Sequence, residues 1–392
     1  MSVTTPGKQT LGVAIIGSGL MAKAHTMAWR NLQAVYGRVP ADIRLVALVD
    51  ATDELAAAGA AQFGYERWTT AWQGVVADPA VHIVDIVTPN FLHKEVAIAA
   101  AQAGKHIWCE KPLALTADDA LEMTTIAEDS GVKTLVGFSY LRNPGVVLAK
   151  KLVEDGEIGR PISFTGTFAI DAMTDPGTPF TWRQDRALAG TGALGDLGAH
   201  VIAFARHLVG PIERVASIAT VTVPRRPLPS GTFGYGERAD ANAPMREVEN
   251  DDATIFLLGF GNGAIGSIEA SRVSAGRSYE AGFTLTGTKG ALRFDQQRMF
   301  ELQVRLASDP DGTTGFRHLQ LGPDHGDYGA LWPVPGVNIS IHDLKFFEAH
   351  DLVEAITSDT PAWPDFREGW EVERVIDAVD EAAGTNSWVA IR

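Results

Sequence analysis

Cysteine occurs once in the 392 residues, as Cys109. A single thiol excludes an internal disulfide framework and a thiolate zinc site built by one chain. Basic blocks are absent, and Lys and Arg (33) are outnumbered by Asp and Glu (48), for a formal net charge of −15. Nucleic acid and anionic membrane surfaces would be repelled at long range. No nucleic-acid or membrane partner is therefore expected, and an anion can be held only by local devices such as a helix N-terminus. Charges interrupt the apolar stretches before about 18 residues, short of a bilayer span. The opening "MSVTTPGKQT" is polar and lacks the apolar centre of a secretory leader. These absences point to a cytoplasmic protein that handles a small, neutral molecule.

What is present falls into two parts, as expected of a chain longer than one comfortable core. Over residues 1–140, short β-branched runs ("LGVAIIG", "RLVALVD", "HIVDIVTP", "KHIWCEKP", "KTLVGF") alternate with helical patterns such as "LMAKAHTMAWRNL" and "FLHKEVAIAAAQAG". Strands alternating with helices of this length imply a doubly wound parallel sheet covered on both faces, an α/β domain. Over residues 141–392 the strands are longer and alternate apolar with polar: "PISFTGTFAI", "RVASIATVTV", "ATIFLLGF", "AIGSIEASRV" and "AGFTLTGTKGALRF". Turns such as "FGNGAIG" separate some of them, so an α+β domain with a large, mostly antiparallel, open-faced sheet is expected. Two stretches rich in Gly and Pro, about 224–250 and 308–340, read as irregular loops. Two helices, about 343–358 and 367–383, and the short strand "SWVAI" close the chain.

Directly after the first strand stands "GSGLMA": Gly17, Ser18, Gly19, Leu20, Met21 and Ala22. It fits the G-x-G-x-x-G/A turn, in which the first glycine permits the bend and the second lets backbone approach a pyrophosphate at a helix N-terminus. Asp50, ending the second strand, is placed to bond the ribose hydroxyls of NAD. No Arg or Lys follows it in "DATDE" to hold a 2′-phosphate, so NAD is favoured over NADP. Asp50 lies about 30 residues beyond Gly19 rather than about 20, and "QAVYGRVPADI" reads as an insertion. Two further turns, "TPNFLH" (Thr88, Asn90, His93) and "CEKPLA" (Glu110, Lys111), follow parallel strands at their C-terminal ends, where ligands of such sheets bind. Later, "GDLGAH" spaces Asp196 and His200 four apart at the head of an apolar helix. Residue chemistry alone leaves two readings: an acid–base pair, or a helix cap and a packed ring.

The succession "GxGxMxxxH", "TPNxLH", "CEKPL", "GxxxDxGxH", with "GEIGRP", "FGNGAIGSIEAS" and "GTKGAL" beyond, resembles the Gfo/Idh/MocA oxidoreductases along nearly the whole chain. Within that family it is most similar to dehydrogenases of pyranosides, anhydrosugars and cyclitols. The resemblance implies a Rossmann domain holding NAD, with Lys111 at the reacting oxygen, His200 as general acid–base and Asp196 assisting it or binding a substrate hydroxyl. It also implies Trp182 and Arg183 along the cofactor, and Tyr140 and Arg142 complete the candidate substrate set. No metal is implied. A homo-oligomer, a tetramer, follows from the same resemblance, with an open sheet face as its physical basis. The family also contains glycosidases that use NAD transiently and a non-catalytic dinucleotide-binding regulator, and the motifs alone are compatible with the first. The chain departs from the family pattern at Ala203, where many members carry aspartate, and at Ala172, where a bulky aromatic is frequent.

Overall fold

A computed structural model describes residues 8–229, 238–240 and 242–392. Its contacts divide the chain into two units. The first comprises Met1–Ala114, Asp118–Ser139 and Ser340–Trp370; the second comprises Leu115–Ala117, Tyr140–Ile339 and Glu371–Arg392.

In the first unit, β1 (Gln9–Ile16), β2 (Ala41–Val49), β3 (Arg67–Thr69), β4 (Ile83–Ile86), β5 (His106–Cys109) and β6 (Thr134–Val136) form one sheet in the order β3-β2-β1-β4-β5-β6. Every pair is parallel. β1 and β4 are almost wholly buried, as strands covered on both faces should be, and Asp85 alone interrupts the apolar run of β4. The expected doubly wound α/β architecture is present. β3 was not anticipated, because three residues with little burial carry no alternation to read.

The spacing of Asp50 has a simple explanation. The first helix runs from Leu20 to Tyr36, 17 residues, and β2 starts only at Ala41, so the extra residues lengthen the helix and its exit turn.

A boundary at 140/141 places Ser340–Trp370 in the C-terminal part, whereas the structure puts that segment in the first unit. Its helix Ile341–Ser358 stacks His350 flat on Tyr36, ring centroids 3.6 Å apart. The carbonyl of Pro364 accepts a bond of 2.8 Å from Val136 N–H of β6, covering that edge strand.

The second unit is built on nine strands: β7 (Pro161–Ala169), β8 (Ile212–Thr220), β11 (Ala253–Phe260), β12 (Ile265–Ser271), β13 (Glu280–Gly287), β14 (Gly290–Asp295), β15 (Glu301–Leu306), β16 (Arg317–Gln320) and β17 (Val389–Ala390). Their order is β16-β15-β14-β13-β7-β12-β11-β8-β17. Only β7 and β12 pair in parallel. A separate ribbon joins β9 (Arg225–Pro227) to β10 (Met245–Glu247) inside the stretch expected to be irregular, and residues 230–237 and 241 of that stretch lie outside the described residues. The stretch 308–340 likewise holds β16 and a short helix, Tyr328–Leu331.

Among the described residues one segment, 186–209, is long and apolar enough to cross a membrane by length and composition, but 78% of its most apolar window is buried inside the protein. It is a core segment. Its last part, the helix Ala199–Val209, packs on β7 where Gly166 leaves room: a Cβ there would lie 2.3 Å from Val201 Cγ1 and 2.8 Å from the Phe164 ring. The opposite sheet face is open, with Ile218 (75% exposed), Ile255 (57%) and Ile265 (64%) pointing outward.

Gly166→Ala is expected to destabilise the fold by about 1–3 kcal/mol through overpacking. Urea unfolding measures it, and an unchanged midpoint would mean that the helix can move away from β7 at no cost.

Candidate functional site

In the first unit the turn after β1 has the form a dinucleotide needs. Gly17 has φ +109°, a conformation that L side chains rarely adopt, and a Cβ there would lie 2.8 Å from the Val87 carbonyl oxygen. Gly19 is the N-cap of the helix Leu20–Tyr36, has no side-chain capping bond, and would place a Cβ in open space. The first N–H groups of that helix are thus accessible to an anion. Ser18 ties this turn to the end of β2: its N–H donates to Asp50 Oδ2 at 2.7 Å and its hydroxyl donates to the same oxygen, while Ala51 N–H donates to Oδ1 at 2.6 Å. A carboxylate accepts about four hydrogen bonds, so Asp50 keeps capacity for a ribose hydroxyl. The helix extension has not separated the two motifs.

Thr88 and Asn90 follow β4. The Thr88 hydroxyl is buried without a hydrogen-bond partner among the described residues, the expected state of a group that meets a ligand atom. The turn residues present therefore fit NAD. His93 does not join them. Its ring is fully buried, with Nδ1 3.0 Å from the Pro112 carbonyl oxygen and Nε2 3.1 Å from that of Thr88, and burial pushes its pKa down. It clamps the turn after β4 to the turn after β5.

Glu110 likewise engages its side chain within the protein. Its carboxylate faces the interior, where Oε1 accepts from His25 Nε2 at 2.9 Å and from Lys345 Nζ at 2.6 Å. His25 Nδ1 lies 2.7 Å from Asp85 Oδ1, and Trp29 donates to Asp85 Oδ2 at 2.7 Å. Lys345 also pairs with Glu348 at 3.0 Å, and Glu348 accepts from the Ser139 hydroxyl at 2.9 Å. The imidazole stacks on Trp108 at 3.8 Å.

Burial would push the Glu110 carboxyl up, but Lys345 and His25 hold it well below the usual range. Burial would lower both bases, yet Asp85 keeps His25 raised and Glu110 with Glu348 keep Lys345 raised. Glu348 moves upward, because its own burial outweighs the neighbouring ammonium. An imidazolium and an ammonium thus face the carboxylates of Glu110 and Asp85. Beside this network Lys111, half-buried, leads into a cis bond to Pro112, and its N–H donates to Glu110 Oε2 at 3.2 Å. His25 is the last residue of the pattern "GxGxMxxxH", where no role was read for it; Lys345 did not stand out, and charged residues inside the apolar run "LKFFEAHDLV" were the available signal.

In the second unit, Asp196 and His200 do not stand on one regular helix. Leu194–Gly198 is a π turn, and the α-helix begins at Ala199. Such turns insert an extra residue into a helix and are frequent at functional sites. Asp196 is not the cap. Asp251 performs that task, its carboxylate accepting from Gly192 N–H at 2.6 Å, Leu194 N–H at 2.9 Å and the Thr254 hydroxyl at 2.8 Å. Asp196 is left half-buried, and His200 is 8% exposed, with Tyr140 set edgewise to its ring at 4.6 Å. Arg142 ends the same short 3₁₀ turn that carries Tyr140. Trp182 and Arg183 form another 3₁₀ turn, where the Arg183 guanidinium lies 4.5 Å from the Trp182 ring centroid. The buried Arg272 joins these pieces by donating to the carbonyls of Asp251 (2.8 Å) and Arg183 (3.3 Å). Asp251 and Arg272 went unread in the sequence because their partners are distant backbone atoms.

Two family models match this chain: an oxidoreductase family with an NAD-binding Rossmann fold over residues 11–138, and the GFO/IDH/MocA C-terminal domain over residues 146–293. Among curated proteins, levoglucosan dehydrogenase of Pseudarthrobacter phenanthrenivorans is 42% identical over 385 residues, covering 98% of each chain. The scyllo-inositol 2-dehydrogenase (NAD(+)) of Bacillus subtilis is 29% identical over 279 residues, 71% of this chain and 72% of that one. Among solved structures, levoglucosan dehydrogenase in complex with NADH and L-sorbose superposes with a TM-score of 0.93 at 41% identity, covering 98% of this chain and 99% of the other.

Removing the ammonium from the buried network would leave Glu110 and Glu348 facing each other without it. Lys345→Met is expected to cost about 3–5 kcal/mol, the usual consequence of breaking a buried ion pair from one side. The double variant Lys345→Met/Glu110→Gln should recover part of that loss. Urea unfolding of the three proteins checks this, and a single variant as stable as the wild type would refute the charge assignment.

Proposed function

This chain belongs to the GFO/IDH/MocA oxidoreductase family, and we propose that it oxidises a ring secondary alcohol of a pyranose sugar, anhydrosugar or cyclitol to the ketone, with NAD as cofactor. The observation that carries the proposal is likeness along 98% of this chain and 99% of the other to an enzyme solved with NADH and a sugar. In this reading the first unit holds the dinucleotide, and the second holds the sugar and makes the subunit contacts. The lone, buried Cys109 suits a reducing cytoplasm.

NAD, when bound, supplies the acceptor for the hydride leaving the carbinol carbon. Everything else falls to the chain. The N–H groups after Gly19, with Ser18, Leu20 and Met21 shaping the turn, hold the pyrophosphate, and Asp50 takes the ribose hydroxyls. Thr88, Asn90, Trp182 and Arg183 complete the cofactor set. The Lys111 ammonium donates to the reacting oxygen and stabilises the negative charge that develops there. The neutral His200 imidazole accepts the hydroxyl proton, the part of a general base. Asp196, beside it in the π turn, assists the imidazole or bonds a neighbouring sugar hydroxyl. Tyr140 and Arg142 contribute to holding the sugar ring.

The open face carrying Ile218, Ile255 and Ile265 is the surface we assign to self-association as a homotetramer, since contiguous exposed apolar patches mark interfaces. Light scattering at micromolar concentration should return about four times the chain mass; a 41.9 kDa particle would refute the assignment.

With levoglucosan or an inositol as substrate, NADH should accumulate. The rate should rise with pH through a group titrating at about 6 to 8. His200→Ala should lower kcat by about 10² to 10⁴, with NADH affinity and melting temperature nearly unchanged, and Lys111→Ala should be comparably severe. Wild-type turnover in a His200→Ala protein with a lowered melting temperature would assign His200 to packing alone.

A further inference from the structure

Gly59 stands inside the helix Asp53–Phe63, where glycine is the poorest helix former after proline and no unusual backbone angle calls for it. Its reason is space. A Cβ at Gly59 would lie 2.9 Å from the Ser18 Cβ, well inside the ordinary contact distance of two carbons, and 3.1 Å and 3.2 Å from the Leu48 methyl carbons. The Ser18 Cβ is fixed by its own backbone and cannot give way as the tip of a long side chain can. The missing side chain of Gly59 therefore seats Ser18 against the helix.

So seated, Ser18 holds Asp50 through two atoms. Its N–H and its hydroxyl both donate to Oδ2, and the neighbouring Gly17 N–H donates to the Val49 carbonyl at 2.8 Å. Ala51 N–H supplies a third donor, to Oδ1 at 2.6 Å. With Oδ2 taken twice and Oδ1 once, one acceptor position of the carboxylate is left, on Oδ1. A 2′-phosphate would drive an unheld carboxylate aside by like-charge repulsion. The three donors oppose that rotation, and hydrogen bonds to an ionised acceptor are the strong ones. Two of the donors are backbone groups that any residue would supply. The G-x-G-x-x-G/A pattern leaves the residue between the first two glycines open, so the Ser18 hydroxyl is a feature of this chain and not a requirement of the turn.

Resting on the reading of Asp50 and the glycine turn as a dinucleotide site, we propose that Ser18 is a positioning residue for cofactor choice. Seated in the space that Gly59 leaves, its hydroxyl keeps the Asp50 carboxylate from turning away and so sets how strictly a 2′-phosphate is refused.

The test uses the full-length protein and equilibrium binding of NADH and NADPH, followed by the fluorescence of the bound nucleotide, with melting temperatures in parallel. The wild type should bind NADH the more tightly. Ser18→Ala should lower the ratio of the NADPH to the NADH dissociation constant about tenfold, as befits one hydrogen bond to a charged group, with the melting temperature nearly unchanged. In an Asp50→Ala background the same substitution should leave the ratio unaltered, because the group it acts through is gone. Gly59→Ala should narrow the ratio by displacing Ser18, and should add nothing in a Ser18→Gly protein, where the Cβ it meets is missing. A wild-type ratio in Ser18→Ala overturns the proposal, whatever the melting temperature does. An effect of Ser18→Ala that survives the loss of Asp50 overturns it too, and a wild-type ratio in Gly59→Ala overturns the seating. If the wild type binds neither nucleotide, the dinucleotide reading itself falls. A wild type that prefers NADH, with a Ser18→Ala protein that prefers it equally, keeps that reading and removes Ser18 alone.

Discussion

A carboxylate that cannot reach water sets the terms for the first unit. Glu110 is buried one residue before Lys111, and a buried charge is tolerated only when paired and hydrogen-bonded. His25 comes from the first helix, Asp85 from β4 and Lys345 from a helix more than two hundred residues away in sequence. Because each needs the others to be ionised in place, the three elements converge on the turn after β5. The position of Lys111 is then a by-product of charge balance beneath it. Gly137 contributes by omission: a Cβ there would lie 2.7 Å from Glu110 Oε1.

The second unit solves a similar problem with neutral backbone groups. The π turn bearing Asp196 begins at N–H groups that no helical carbonyl can satisfy. Asp251 satisfies two of them, and Arg272 fastens Asp251 to the turn of Trp182 and Arg183. Asp196 does not serve as the cap, and the close packing at Gly166 brings the following helix down onto the sheet beside Phe168.

How much of this could be read from the sequence depended on how local the determinants are. The parallel strands of the first unit and the long strands of the second announced themselves by period and β-branching. The glycine turn did so by spacing. Asp50 lies beside that turn despite its unusual distance, because the extra residues lengthen the helix and its exit turn and leave the strand end in place. The inward bonds of His93 and Glu110 were not legible, because a polar residue in a ligand-side turn looks the same whether its side chain turns toward the ligand or toward the core. Lys345, Asp251 and Arg272 act through partners far away in the chain, and no local pattern encodes those partners. The return of Ser340–Trp370 to the first unit was invisible for the same cause.

That return has a consequence for how the protein is made. A ribosome that has released β6 has synthesised every strand of the first sheet but not Lys345, which lies 235 residues beyond Glu110. At about 5–20 residues per second, the interval lasts roughly 10 to 50 s. During it the nascent Rossmann sheet holds Glu110 with only half its counter-charge, and β6 has an uncovered edge. Vectorial synthesis therefore completes the first unit only after most of the second has emerged. Completion of the dinucleotide-binding half is coupled to synthesis of nearly the whole polypeptide, so a prematurely terminated chain is left without a finished first unit.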